Sequence, residues 1–205
     1  MNLWDRFVLP RLIGLACGSK PIARQRAKII PQARGLVVEF GFGSGTNLPF
    51  YDAGAVSRII AVEPSREMLA VGRRERRTDI PVEEIVAGAE ATGLPDAVAD
   101  TVVIAYALCT IPAPAAALAE ARRILKPDGR LLFVEHGLAP DPDVARTQRQ
   151  IEPVWRRIAG GCRLCRDPVA LIGDAGFVCE AVNTMYLPRT PRFAGYNSWG
   201  SARLP

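Results

Sequence analysis

One histidine, His136, stands among 205 residues, and only three lysines, Lys20, Lys28 and Lys126, among 26 cationic side chains. A lone imidazole leaves a histidine-rich metal centre without ligands. The cysteines are Cys17, Cys109, Cys162, Cys165 and Cys179, an odd number, and no secretory signal is legible. Both observations lead to the expectation of reduced thiols in the cytoplasm. Cys162-x-x-Cys165 has the spacing of half a zinc or redox motif, but no second pair accompanies it. The expectation is therefore no metal, and thiols that are buried or face a substrate. No apolar run is long enough to span a bilayer: the stretch from Val8 to Cys17 is short and broken by Pro10 and Arg11. Internal repeats and low-complexity segments are missing too.

The composition is that of an ordinary globular chain, 49% hydrophobic and 23% charged, long enough for one domain with a substantial core. The net charge of +5 is carried by arginines spread along the whole chain. That spread argues for a solvated basic surface and against a nucleic-acid patch. The densest cluster, Arg73-Arg74-Glu75-Arg76-Arg77, falls at a helix end, where cations favour the dipole. Residues 1–32 read as an N-terminal helical segment and 33–205 as the main domain. Trp4, Phe7, Val8, Leu12 and Leu15 fall near helical spacing. They make either a face packed over the domain or, in the sharper reading, a lid or membrane-surface contact.

The rest alternates strands and helices. Pro21 to Ile30 reads as a basic helix with Ser19 as N-cap. Strands are expected at Leu36–Phe40, Arg58–Val62, Val82–Ala87, Asp100–Ala105, Leu131–Val134, Phe177–Tyr186 and Tyr196–Ala202. Helices are expected over Thr46–Tyr51, from Ser65 to Arg74, over Pro112–Leu125, Asp141–Ile158 around Pro153, and Asp167–Ala175. A Lys126-Pro127-Asp128-Gly129 turn follows the alanine-rich helix. This order gives a three-layer α/β sandwich around a mainly parallel sheet.

The chemistry gathers at Leu36-Val37-Val38-Glu39-Phe40-Gly41-Phe42-Gly43-Ser44-Gly45-Thr46-Asn47. An apolar strand breaks here into a glycine-rich turn able to cradle a nucleotide-like ligand. The spacing is Gly-x-Gly-x-Gly, with Thr46 where a dinucleotide fingerprint has its third glycine. Glu63, about twenty residues on at the end of the second strand, is placed to accept hydrogen bonds from ribose hydroxyls. Glu39 puts a negative group where a diphosphate is unwelcome and an ammonium or sulfonium is favoured, against the alternative of a structural hydrogen-bond acceptor on a buried strand.

The set Glu39 to Gly45, Glu63-Pro64-Ser65 and Leu125-Lys126-Pro127-Asp128-Gly129 resembles the class I S-adenosylmethionine-dependent methyltransferases, with Asp128 where a glycine is usual. Ala107-Leu108-Cys109-Thr110-Ile111, Phe133-Val134-Glu135-His136, Gln148 with Pro153-Val154-Trp155, and Gly161-Cys162-x-Leu164 resemble the methyltransferase-like 7 group. The ubiquinone/menaquinone type is similar as well. The resemblance implies a Rossmann-like sandwich whose seven-stranded sheet has its last strand antiparallel. It implies S-adenosylmethionine as cofactor, with Gly41, Gly43 and Gly45 at its methionyl and ribose portions and Glu63 on the ribose hydroxyls. Glu90, or the backbone at Ala89, would meet the adenine amine, and Tyr106 and Ala107 would line the sulfonium. Asn47 and Pro64, closing the two motif pieces, join the same cofactor-binding set.

Methyl transfer asks mainly for alignment and exclusion of water. A base is needed only if the nucleophile arrives protonated; His136 is the candidate, against a purely structural role. Cys109 is placed in the same pocket, against a role as apolar filler. The resemblance implies a small or lipophilic acceptor, a thiol or a quinone or lipid precursor. After the fourth strand stands Tyr106-Ala107-Leu108-Cys109, without the Asn/Asp-Pro-Pro-aromatic motif of nucleobase or glutamine methylation. Competing readings are a nicotinamide-dependent oxidoreductase, disfavoured by the missing Tyr-x-x-x-Lys pair, and a non-catalytic S-adenosylmethionine-binding module at a membrane surface.

Overall fold

The structure, a computed structural model, describes residues 19–205. The expected apolar face from Trp4 to Leu15 and Cys17 lie outside the described residues.

Lys20–Ile29 forms α1, with Pro21 in its first turn where a missing N–H costs nothing. Ser19 sits at the N-cap in extended conformation, but its side chain makes no capping bond. β1 (Gly35–Phe40) follows, then β2 (Val56–Val62), which starts two residues earlier than the sequence suggests. Only Leu48–Phe50 of the helix expected at Thr46–Tyr51 forms, as one 3₁₀ turn. α2 (Arg66–Glu75) is capped by Ser65, whose Oγ accepts the Met68 N–H at 3.2 Å. β3 (Val82–Ile85) stops before Val86, and β4 spans Ala99–Ala105. α3 (Pro114–Ile124) starts two residues late because Ala113 is not yet helical.

β5 (Leu125–His136) absorbs the expected Lys-Pro-Asp-Gly turn. Leu125 pairs Ala99 and Arg130 pairs Thr101, so four residues loop out within the strand. Lys126 there reaches Asp100 at 2.6 Å. α4 (Pro142–Ile158), α5 (Pro168–Asp174), β6 (Val178–Tyr186), α6 (Arg192–Gly195) and β7 (Tyr196–Arg203) complete the described chain.

The seven strands lie in the order β3-β2-β1-β4-β5-β7-β6. All pairs are parallel except those of β7, which runs antiparallel to both β5 and β6. Successive side chains of the central strands enter opposite cores. Val38, Ile60, Val102 and Phe133 pack with Leu118, Ala121 and Ile172 of α3 and α5. Val37, Ile59, Val103 and Leu132 pack with Ile29 of α1 and Leu69 of α2. Burial on both faces is why the strands read as near-continuous apolar runs. Among the described residues, no helix is long and apolar enough to cross a membrane.

Candidate active site

β1 sits between β2 and β4, and the chain runs outward through β2 and β3 before returning to β4. The carboxyl ends of β1 and β4 therefore open a crevice at a topological switch point. Gly41, Gly43 and Gly45 turn out of β1 with φ of 71°, 59° and 78°. A Cβ on Gly41 would stand 2.6 Å from the Ala107 Cβ in the β4 loop, whereas one on Gly43 would meet nothing closer than Met68 Cε at 3.7 Å. The first glycine lets two loops touch; a side chain at the second would meet Met68 only at ordinary contact distance.

Glu63 closes this cradle from the end of β2. Its Oε2 accepts the Gly43 N–H at 2.9 Å and its Oε1 the Ser65 N–H at 3.0 Å. Burial raises its pKa against the pull of those two bonds. Each oxygen retains acceptor capacity for a further donor. Pro64 beside it is exposed and offers no polar hydrogen to a ligand.

Of the two roles the sequence left open for Glu39, the structure shows the hydrogen-bond acceptor. It is 1% exposed, with Oε1 accepting from Asn47 Nδ2 at 2.8 Å and Oε2 from Tyr51 Oη at 2.6 Å. Asn47 in turn accepts from Arg26 Nε at 2.7 Å. Burial, helped slightly by the charge of Glu63, pushes the Glu39 carboxyl up to about 7 despite these partners. Both Glu39 and Asn47 thus brace the glycine loop. Arg26, a buried side chain of α1 that sequence reasoning passed over, ties that helix to the network. Ala89 is buried in the core below β3, and Glu90 Oε1 accepts the Ala113 N–H at 3.2 Å ahead of α3.

The second half of the crevice lies at the ends of β4 and β5. Tyr106 adopts φ 56°, a strained conformation for an aromatic residue. Its Oη donates to Asn197 Oδ1 at 2.6 Å, and the Arg26 guanidinium lies 5.0 Å from the ring centroid. Glu135, fully buried, accepts the Ala107 and Leu108 N–H groups on Oε1 at 2.7 and 3.0 Å. Its Oε2 has no hydrogen-bond partner, and burial pushes the carboxyl up to about 7. Arg166 donates to the carbonyls of Leu108 and Ile111. The β4 loop is thereby held by its N–H groups and its carbonyls at once. Sequence reasoning placed Glu135 only within a motif; a buried acid at a strand's carboxyl end was the available signal.

His136 and Cys109, the two expected catalytic candidates, come together, and Cys162 joins them. His136 Nε2 lies 3.2 Å from Cys162 Sγ. The ligand atoms of Cys109, His136 and Cys162 all lie within 4.8 Å of one another. Cys109 and His136 beside it hold the Cys162 thiol well below its usual range, against the effect of burial. Burial works against the His136 cation, but Cys162 beside it raises the imidazole pKa. His136 therefore meets the pocket as part of a sulfur–imidazole pair, not as an isolated base. Cys165 takes another path: its N–H bonds Glu152 at 2.7 Å and burial pushes its thiol up to about 11. The Cys-x-x-Cys spacing makes no unit.

Cys109, His136 and Cys162 line an apolar cavity of about 350 Å³, with Tyr106, Trp155, Leu164 and Leu187 among its walls. Tyr106 lines the cavity, and its neighbour Ala107 meets Gly41 of the cradle.

Comparison with known proteins agrees with this architecture. The family described as Methyltransferase domain matches residues 38–133. Thiol S-methyltransferase TMT1B of Rattus norvegicus is 32% identical over 144 residues, 69% of this chain and 59% of that protein. Demethylmenaquinone methyltransferase of Clavibacter sepedonicus is 35% identical over 127 residues, 61% of this chain and 50% of that protein. The chain thus spans between half and three-fifths of these relatives' length. In structure, it is similar to a methyltransferase solved with the Haloferax volcanii Trm112 methyltransferase activator: TM-score 0.70, 18% identity, covering 98% of this chain and 96% of that one.

Proposed function

Because the chain belongs to the class I S-adenosylmethionine-dependent methyltransferases, we propose that it methylates the sulfur of a small lipophilic thiol. The observation that carries the proposal is the apolar cavity in which Cys109, His136 and Cys162 stand beside the glycine cradle. The thiol S-methyltransferase relative supports the same acceptor class.

The cradle's residues fit S-adenosylmethionine. Glu63 keeps acceptor capacity on both oxygens for a ribose diol. Gly43 presents no side chain to the cradle, and Thr46 stands where a dinucleotide fingerprint has its third glycine. When bound, S-adenosylmethionine supplies a methyl group already activated on a sulfonium. The chain's own task is then placement. Glu63 and the glycine backbone bind; Glu135 and Arg166 fix the β4 loop; Tyr106, pinned by Asn197 and Arg26, sets the wall between cradle and cavity. Such positioning supplies roughly 7–11 kcal/mol in favourable cases.

A thiol acceptor suits this site because the thiolate is the nucleophile. Its proton leaves to solvent, and the sulfur–imidazole cluster stabilises the anion in a water-poor cavity. Trp155 and Leu187 keep water out. The segment at 1–32 contributes through α1, whose Arg26 touches both the loop brace and Tyr106. We place the protein in the cytoplasm, with peripheral membrane contact through the N-terminal segment and no nucleic-acid partner.

The test is turnover on matched aryl and alkyl thiols, phenols and quinols, followed as S-adenosylhomocysteine release. Thiols should turn over at least tenfold faster than their oxygen analogues. Preference for quinols would replace the thiol reading with quinone-ring methylation. Cofactor binding without any turnover would leave a binding module.

A further inference from the structure

The Cys109–His136–Cys162 cluster has one property that methyl transfer does not require. Two sulfurs and an imidazole nitrogen, from the β4 loop, the end of β5 and the segment after α4, converge within 4.8 Å. Cys109 and Cys162 are buried thiols without a disulfide, and all three residues line the cavity wall. In a tetrahedral zinc site with Zn–S of about 2.3 Å and Zn–N of about 2.0 Å, ligand atoms stand roughly 3.5–3.8 Å apart. The 3.2 Å between His136 Nε2 and Cys162 Sγ needs to open by only a few tenths of an ångström. The other pairs, all within 4.8 Å, close by at most about 1 Å to reach the same spacing, a movement within reach of side-chain rotation.

We propose that Cys109, His136 and Cys162 bind one zinc-class divalent cation and leave its fourth position open to the cavity. Three protein ligands with one open position is the arrangement of reactive rather than structural zinc. Soft sulfur donors with one imidazole select zinc over magnesium or calcium. Binding releases the protons of Cys109 and Cys162 to solvent, and two thiolates with a neutral imidazole cancel the charge of the cation. An acceptor thiol entering the fourth position is deprotonated on coordination, its proton also going to solvent. The coordinated sulfur then faces the cavity as a thiolate. This last step rests on the thiol reading above; metal binding does not.

Cobalt titration of the full-length protein tests the site without reference to activity. The protein is stripped with a chelator, kept reduced with a phosphine, and titrated with Co²⁺. One equivalent should bind, with a near-ultraviolet thiolate-to-cobalt charge-transfer band and intense visible bands of tetrahedral cobalt. The Cys109→Ser/Cys162→Ser variant should lose the charge-transfer band, while Cys165→Ser/Cys179→Ser should keep it. Calorimetric binding of S-adenosylmethionine reports that each variant is folded. Adding benzyl mercaptan should shift the visible bands.

A wild-type protein without the charge-transfer band overturns the site, as does a band that survives loss of both cysteines. A band that ignores benzyl mercaptan overturns the open position alone. A cobalt-binding protein that never methylates thiols overturns the proposed function and leaves the site standing.

Discussion

Gly41 and Ala107 touch across the switch point of the sheet: a Cβ on the glycine would lie 2.6 Å from the alanine's own. The loops after β1 and β4 can approach this closely only because residue 41 has no side chain, and its φ of 71° is costly for any L residue. Gly41→Ala should therefore cost about 2–3 kcal/mol of stability from strain and contact together. Urea unfolding measures it. An effect under about 0.5 kcal/mol, the range of neutral surface changes, would show that the loops do not need this contact.

Glu63 reaches the same cradle from β2, with its two oxygens on the Gly43 and Ser65 N–H groups. Removing a charged hydrogen bond to the ribose is worth roughly 1.5–3 kcal/mol. Glu63→Ala should weaken S-adenosylmethionine binding at least tenfold by calorimetry, with NADH binding neither protein. Unchanged affinity would take Glu63 out of the site.

Glu39 gives the fold a pH signature. Its carboxyl titrates at 4.5 when unperturbed and at about 7 in the folded chain, where burial disfavours the anion. Between those values the native state holds the extra proton, so this group's contribution to stability falls as pH rises from about 4.5 to 7. Glu39→Gln keeps a neutral side chain, whose oxygen can accept from Asn47 while its amide donates to Tyr51. Wild-type protein should lose up to about 3 kcal/mol more than the variant between pH 5 and 8. Parallel unfolding profiles would contradict the buried proton.

Glu135 holds the β4 loop by one oxygen on two N–H groups. Glu135→Ala strands both donors in a buried site and should destabilise by at least 2 kcal/mol. Glu135→Gln preserves an acceptor oxygen and should recover more than half of that loss. Equal loss in the two variants would mean that packing, not hydrogen bonding, is what Glu135 supplies.

Much of this was written locally in the chain. The apolar runs at β1 and β4, the three glycines and the Ser65 cap each depend on neighbours a few residues away, and each forms near its expected place. The antiparallel last strand came from the family resemblance and is found in β7. What was not legible depends on chain crossings. Arg26 braces Asn47 across 21 residues, and Cys162 meets His136 across 26. No local spacing encodes either meeting. Glu39 was readable as an acceptor on a buried strand, but Tyr51, twelve residues on, gave no sign of being its partner. The two sulfurs of Cys162-x-x-Cys165 part for the same reason: the first meets His136 at the end of β5, while Cys165 turns to α4 through Glu152.

The central claim is that a methyl group passes from S-adenosylmethionine to a thiol sulfur in the cavity beside Tyr106. S-adenosylmethionine carrying a deuterated methyl, incubated with the protein and an aryl thiol, tests it by mass spectrometry of the product. The account predicts a thioether bearing the intact CD₃ group on sulfur. Unmodified thiol, or the label found on carbon or oxygen, would contradict it.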